Sequence, residues 1–534
     1  MPRVAPEDRK RVYRPKTRTG CLTCKSTIER RIKCGEELPA CLRCTSTGRR
    51  CEGYRDPAAP SSPLPARSHV SARPLIPRPL SAPSFHLFAG DQERRSFQFF
   101  LEKTVPQLAG DFECAFWGRL LLQSVHHEPV IRHATVALGS LHERFECDAA
   151  PFRSAHGSFA LRQYLRAMRC LMSTPGSQPL DVCLISCILF SCFEAMRDHY
   201  GPAITHITSG LNILSELRTN QSNNPVALCV GRTPYVPMDI LCGLFTRLQG
   251  QVIVTVHRIG AARCNLWPEL VIDLDRPIVF QSLADARETL EIYTYYYRQR
   301  STELLYQSPP AETNPIDPVT TVNPAAVILR DTSLILLARW STALDDFLRE
   351  RNTSLTPRER RAAAVLQLRK IDCVIALDIL QAAGEAEAGH HVQWDKYCPF
   401  FEQMVVLGES IISSSPMSSK KTFSLDLSII AAIFNVAVRC RDPLIRRRAV
   451  AVLRASAIQE GVWNSVVVAA IADKWIEIEE EGLGVVVSCA DVPAAARLAD
   501  FLPVFDVEQP SALVYFSRSS PIDWDGVRRE VFTW

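Results

Sequence analysis

The sequence has little to offer a membrane or a secretory route. Its longest apolar run, Val182 to Phe193, is about half of the roughly 20 residues that a spanning helix needs. The first twenty residues are basic and hold no apolar stretch of the kind that marks a signal peptide, so a reducing compartment is expected. A Gly-rich phosphate loop, a nucleophile elbow and a zinc-protease helix are all missing. With them go the usual footholds of a nucleotide-dependent enzyme, a serine hydrolase and a metalloprotease, and the chain is not expected to be an enzyme. Stretches alternating apolar and polar residues are scarce, which argues against a β-rich body. No internal repeat is detectable.

What is present is long and unevenly charged. At 534 residues the chain exceeds one ordinary core, and two to four units are expected. Residues 1–55 carry 15 Lys/Arg against 6 Asp/Glu, in a chain whose total is only +4, so the remainder is net acidic. A basic head on a mildly acidic body points to a polyanionic partner for the head alone. Residues 1–20 form a basic arm containing Arg9-Lys10-Arg11, Arg14, Lys16 and Arg18, suited to nuclear import or to contacting phosphates. Residues 55–90 read as a disordered Pro/Ser-rich linker. Eight prolines and six serines fall within 56–90, a composition that makes a semi-rigid spacer. No heptad pattern follows, so a homodimer is left open but a coiled-coil zipper is not expected.

The strongest signal lies between arm and linker. Cys21, Cys24, Cys34, Cys41, Cys44 and Cys51 are spaced C-x2-C-x9-C-x6-C-x2-C-x6-C, two similar halves each opened by a C-x2-C pair. Thiolates at this density suit a soft, closed-shell ion, and zinc is the usual one. Six sulfurs fill two four-sulfur sites only if two of them bridge both metals. Two Zn2+ and six thiolates then carry a net −2, offset by nearby cations and backbone N–H groups. So small a module has no core of its own, and metal binding supplies most of its folding free energy.

Residues 18–54, from Arg-Thr-Gly-Cys-Leu-Thr-Cys to Cys-Glu-Gly-Tyr, resemble the fungal-type Zn(2)-C6 binuclear cluster transcription factors. The resemblance implies a cluster domain over 21–54 with two Zn2+, bridged by Cys21 and Cys41. Cys24 and Cys34 would complete one metal, Cys44 and Cys51 the other, with Pro39 in the loop between halves. It implies further that a short helix enters the major groove and reads a CGG triplet. By position, Arg30, Arg31 and Lys33 are then the groove-facing cations, and guanine offers them O6 and N7 as paired acceptors. Lys25, Arg43, Arg49 and Arg50 fit phosphate contacts, which give affinity and salt dependence without sequence. Segments 97–110, 116–123, 136–143, 181–194 and 423–482 resemble the helical regulatory region that accompanies this cluster, whereas residues 220–330 match it poorly.

In one respect the chain departs from that pattern. The family has six residues between its second and third cysteines, and this chain has nine, Lys25 to Lys33. On a continuous helix three extra residues add ~4.5 Å of rise and about 300° of turn, too much for Cys21, Cys24 and Cys34 to share one metal. Three readings stay open: the extra residues loop out near Ser26-Thr27-Ile28, the first site is impaired, or the coding sequence carries an error such as a misplaced splice junction. The expected function is a nuclear, sequence-specific DNA-binding regulator of RNA polymerase II transcription, with the transcription machinery or co-regulators as partners. The alternative is an interaction protein whose altered cluster no longer reads DNA.

The fold class expected is mainly α: the small cluster domain, the linker, and a large all-α regulatory domain over 91–534 with a C-terminal β-hairpin. Helical periodicity picks out Phe97, Phe100 and Leu101 on a helix stopped near Pro106. It also marks Ile131, Ala134, Leu138, Leu141 and Phe145 on a second helix, and Leu161, Tyr164, Leu165, Met168 and Leu171 on a third. Val182–Phe193 is apolar all round and is expected at the centre. Asp331 reads as an N-cap ahead of Leu334, Leu337, Leu344, Phe347 and Leu348, and Asp442-Pro443 opens another helix. The helix through Trp475 ends in Glu477–Glu481, expected to be solvated, and is stopped by Gly482. Val504–Val507 and Ala512–Phe516 form the hairpin. Cys183 with Cys187 and the aromatic run Tyr293–Tyr297 are expected in the core, His126-His127 and His390-His391 at the surface. The thirteen cysteines outside the cluster read as small buried hydrophobes.

Overall fold

The structure is a computed structural model that describes residues 34–35, 37–48, 51, 87–146, 155–173, 178–223, 233–255, 277–307, 324–351, 353–382, 393–414, 421–426, 428–506, 509–519 and 522–534. They fall into two units, one within residues 1–82 and the other within 83–534. The basic arm lies outside the described residues, as do His390-His391, Val507 and all of the linker before Leu87.

In the first unit the only described helix is α1, Leu42–Thr45, a single turn with Cys41 at its N-cap. The second unit is built from helices and two small sheets. Its first half comprises α2 (Asp91–Phe99), α3 (Val105–Ala109), α4 (Leu121–His127), α5 (Pro129–Phe145), α6 (Ala155–Met172), α7 (Leu180–Ala195), α8 (Tyr200–Asn223) and α9 (Met238–Thr255). The second half adds α10 (Leu283–Gln307), α11 (Pro324–Arg351), α12 (Pro357–Ala382), α13 (Cys398–Ser414), α14 (Ile430–Arg439), α15 (Pro443–Ser456) and α16 (Ser465–Glu480). One unbroken apolar interior runs through both halves, from Phe88 to Phe516. Phe88 is buried against Phe97, ring centroids 4.8 Å apart, so the body begins before the composition of the linker changes.

α5 lies at the heart of the first half and packs against α2, α6 and α7. Ile131, Ala134, Leu138 and Leu141 are buried as the periodicity requires. α7 is buried on all sides from Leu184 to Ala195, which is why its apolar residues show no single face. α2 approaches α5 closely at Gly139, where an added Cβ would strike the Ser96 carbonyl and come within 2.9 Å of the Phe100 Cβ. Because backbone stands in the way, the two helices must separate to admit even a methyl group. Gly139→Ala should therefore cost ~1–3 kcal/mol in overpacking, read as a lower urea midpoint with an unchanged slope.

Three helix readings are corrected. The first helix does not stop near Pro106. The chain passes from α2 through a π-helical turn, Phe100–Thr104, into α3, and ends only at Gly110 with φ +60°. Val105 N–H reaches back five residues to the Phe100 carbonyl, so the ladder is already opened where Pro106 has no donor. On α6, Leu165 is exposed. The buried face is Phe159, Ala160, Gln163, Tyr164 and Ala167, turned that way because Gln163 bonds Glu93 and His133 while Tyr164 stacks on Phe193 at 4.2 Å. Asp331 is no cap: α11 starts at Pro324, and Asp331 sits mid-helix on its exposed side, paired with Arg330. Leu337, Leu344 and Phe347 are buried as expected.

The Asp442 carboxylate accepts the N–H groups of Leu444 and Ile445, each at 3.0 Å, with Pro443 in the first position of α15. Gly482 stops the chain after α16 with φ +75°. β1 (Thr422–Ser424) pairs parallel with β2 (Ile458–Glu460), and β2 antiparallel with β3 (Trp463–Asn464). The expected hairpin is β4 (Asp500–Phe505) against β5 (Ser511–Ser517), registered from Asp500↔Ser517 to Phe505↔Ala512. A third strand, β6 (Arg528–Thr533), extends it beyond what the sequence suggested.

The acidic end of α16 is not wholly solvated. Glu479 is fully buried, 2.8 Å from both Arg441 Nη2 and Arg446 Nη2, and both guanidinium groups are also fully buried. It accepts from Trp475 Nε1 and the Leu498 N–H as well. Tyr293, Tyr295 and Tyr297 pack on the core, as does Cys187, in line with expectation, whereas Cys183, expected there too, is half-buried and lies outside it.

Candidate metal centre and nucleic-acid interface

Cys41, the N-cap of α1, and Cys44 within its one turn sit three apart and are buried together. They are 0 % and 4 % exposed, Cys34 and Cys51 pack against them, and these four cysteines are the buried cluster among the described residues of this unit. Cys34 Sγ and Cys41 Sγ are 3.4 Å apart, and the Cys41 N–H points to Cys51 Sγ at 3.4 Å. The turn is fixed by backbone bonds to the Cys41 carbonyl from Cys44 and Thr45, and by Glu37, whose carboxylate accepts the Leu42 N–H at 3.0 Å. Glu37 was missed in the sequence reading; an acid placed just before a C-x2-C turn is the signal that could have found it.

Burial pushes the Cys41 thiol up, but backbone N–H groups of Gly35, Cys44 and Arg43 and the Cys34 thiol outweigh it and bring it down from 9.0 to about 6. A thiol so disposed is ready to ligate, since metals take the thiolate. The donor set therefore fits zinc: four clustered thiols, one of them easily deprotonated, with no other buried cluster among the described residues of the unit. Cys21 and Cys24 lie outside the described residues, and among the described residues no three ligating groups are disposed as a complete metal shell. Of the cations singled out, Arg43 is exposed on α1. Arg18, Lys25, Arg30, Arg31, Lys33, Arg49 and Arg50 lie outside the described residues, and with them the helix expected to enter the groove.

The sequence profile of the fungal Zn(2)-Cys(6) binuclear cluster domain matches residues 19–61, spanning all six cysteines. The chain is also similar over most of its length to the aspercryptin biosynthesis cluster-specific transcription regulator atnN of Emericella nidulans, 24% identical and covering 90% of this chain and 91% of that one. The chain carries the fungal Zn(2)-Cys(6) binuclear cluster domain and is similar to fungal transcription regulators. Transcription regulator lscL of Purpureocillium lilacinum is 30% identical over 35% of this regulator and 48% of its own length. Transcriptional regulatory protein moc3 of Schizosaccharomyces pombe is 45% identical over 13% of this chain and 14% of its own. No solved structure matches. The family and these relatives are regulators of transcription, not enzymes. The domain is a binuclear cluster that takes two Zn2+. No described helix of the regulator is long and apolar enough to cross a membrane.

Proposed function

We propose that the regulator binds DNA sequence-specifically in the nucleus through its zinc cluster and there controls RNA polymerase II transcription. The gathering of Cys34, Cys41, Cys44 and Cys51 around one turn, inside the segment matched by the cluster profile, carries this reading. Cys21 and Cys41 each serve both metals, Cys24 and Cys34 complete one, and Cys44 and Cys51 the other. Bound zinc supplies the cross-links that hold the module folded. Arg30, Arg31 and Lys33 then meet the O6 and N7 acceptors of the guanines in a CGG triplet. Arg18, Lys25, Arg43, Arg49 and Arg50 neutralise phosphates and set the register. Residues 1–20 are the basic arm, 21–54 the cluster domain, 55–90 the linker and 91–534 the regulatory body, where co-regulators bind.

Selection of random duplexes by the zinc-loaded full chain tests this. CGG should be enriched, with affinity for the selected duplex on the order of 10³-fold or more above that for scrambled DNA. Log affinity should fall linearly with log salt, with a slope of about −0.9 per neutralised phosphate. Equal binding to every duplex would reject the proposal in favour of an interaction protein with an altered cluster.

A further inference from the structure

Three cysteines of the body, remote in sequence, meet in space. Cys398 is the first residue of α13, Cys440 follows the last residue of α14, and Cys489 opens a short 3-10 helix, Cys489–Asp491. Cys398 Sγ lies 3.4 Å from Cys489 Sγ and 4.0 Å from Cys440 Sγ. Cys440 is buried, whereas Cys398 and Cys489 are half-buried, so solvent reaches the closer pair. Among the described residues no group of three or more His, Cys, Asp or Glu is placed to hold a metal ion.

The backbones that carry the closer pair are clamped together already. Arg497 donates to both carboxylate oxygens of Asp395, at 3.0 and 2.8 Å, in the 3-10 turn Gln393–Tyr397 that leads directly into Cys398. The same guanidinium donates to the Cys489 carbonyl at 2.8 Å and the Val492 carbonyl at 2.9 Å. One cation, 3 % exposed, thus anchors both segments. A disulfide needs sulfurs about 2.05 Å apart, and with both backbones held, the remaining approach is a matter of side-chain rotation.

We propose that Cys398 and Cys489 are a reversible oxidation site that closes to a disulfide in response to peroxides or small-molecule disulfides. With hydrogen peroxide, one thiolate attacks a peroxide oxygen and the O–O bond breaks, giving a sulfenic acid and, after protonation, water. The second thiolate attacks the sulfenic sulfur and expels its hydroxyl, which leaves as water. Two thiols and one peroxide give one disulfide and two waters; the sulfurs lose two electrons and the peroxide oxygens gain them. A dithiol reverses the reaction by exchange. Burial, with the Cys398 thiol beside it, pushes Cys489 up to about 12, and contact with the Cys440 thiol pushes Cys398 up as well. The thiolate is therefore scarce at neutral pH, and the site responds to sustained rather than transient oxidant.

The test treats zinc-loaded full-length protein with hydrogen peroxide, alkylates the remaining thiols, digests without reductant and analyses the peptides by mass spectrometry. A peptide linked through Cys398 and Cys489 is expected. It should be lost on dithiothreitol treatment, retained in Cys440→Ser and absent in Cys489→Ser. Its rate of formation should rise about tenfold from pH 7 to pH 8, as thiolate attack by a high-pKa group requires. Alkylated thiols at both positions after oxidation, or a disulfide joining either one elsewhere, overturns the proposal. The wild-type measurement stands even if a serine variant fails to fold.

Discussion

Cys41→Ser is expected to strip both zinc ions from the regulator, whereas Cys44→Ser removes one. Six thiolates serve two tetrahedral metals only when two of them are shared. If Cys41 is shared, its loss leaves each metal with three sulfurs, while the loss of Cys44 affects a single metal. Structural zinc contributes roughly 10–16 kcal/mol of apparent binding free energy in small modules, so losing both ions unfolds the cluster unit. Specific DNA affinity should then fall to the non-specific level, on the order of 10³-fold or more. Native mass spectrometry counts the metals directly: two in the parent chain, none in Cys41→Ser and one in Cys44→Ser. Two zinc ions retained by Cys41→Ser would refute the shared role.

Glu479→Ala should destabilise the body as much as the truncation of a large core side chain. Its carboxylate is the buried counter-charge of Arg441 and Arg446 and also accepts from Trp475 Nε1 and the Leu498 N–H. Removing one partner of a buried ion pair leaves an uncompensated charge, at a cost of ~3–5 kcal/mol. Here two guanidinium groups lose their counter-ion together. Burial alone would push the Glu479 carboxyl up, but Arg441, Arg446 and the Leu498 N–H offset it and hold the group below its usual value. A depressed folded-state pKa adds stability that is complete above the unfolded carboxylate range and is lost as pH falls through the folded value. Denaturant unfolding should accordingly show a large deficit for the variant at pH 7 that shrinks on strong acidification. A deficit under about 1 kcal/mol at pH 7 would show that the arginines find other partners.

Local chemistry made some of this legible in the sequence. The Asp442-Pro443 opening and the Gly482 stop each depend on residues within four positions of one another, and each is found where expected. The errors come where distant contacts decide. Leu165 belongs to a plausible apolar stripe, yet α6 is rotated by Gln163 reaching Glu93, which is 70 residues away. Asp331 resembles a cap because an apolar stripe follows it, yet the helix is already under way from Pro324. Glu479 looks solvated until two arginines from another helix and its approach are seen to converge on it. Spacing in the chain could not reveal the meeting of Cys398 with Cys440 and Cys489, since the separations are 42 and 91 residues and three separate elements bring them together. At the cluster the cysteine pattern carried the family, while the nine residues between Cys24 and Cys34 lie outside the described residues.

The uninterrupted apolar interior from Phe88 to Phe516 bears on how the gene tolerates damage. With no internal seam among its described residues, the body has no place there where translation can halt and leave a finished remnant. Premature stops scattered across hundreds of codons should converge on the same phenotype, because each would yield a sticky fragment destined for proteolysis.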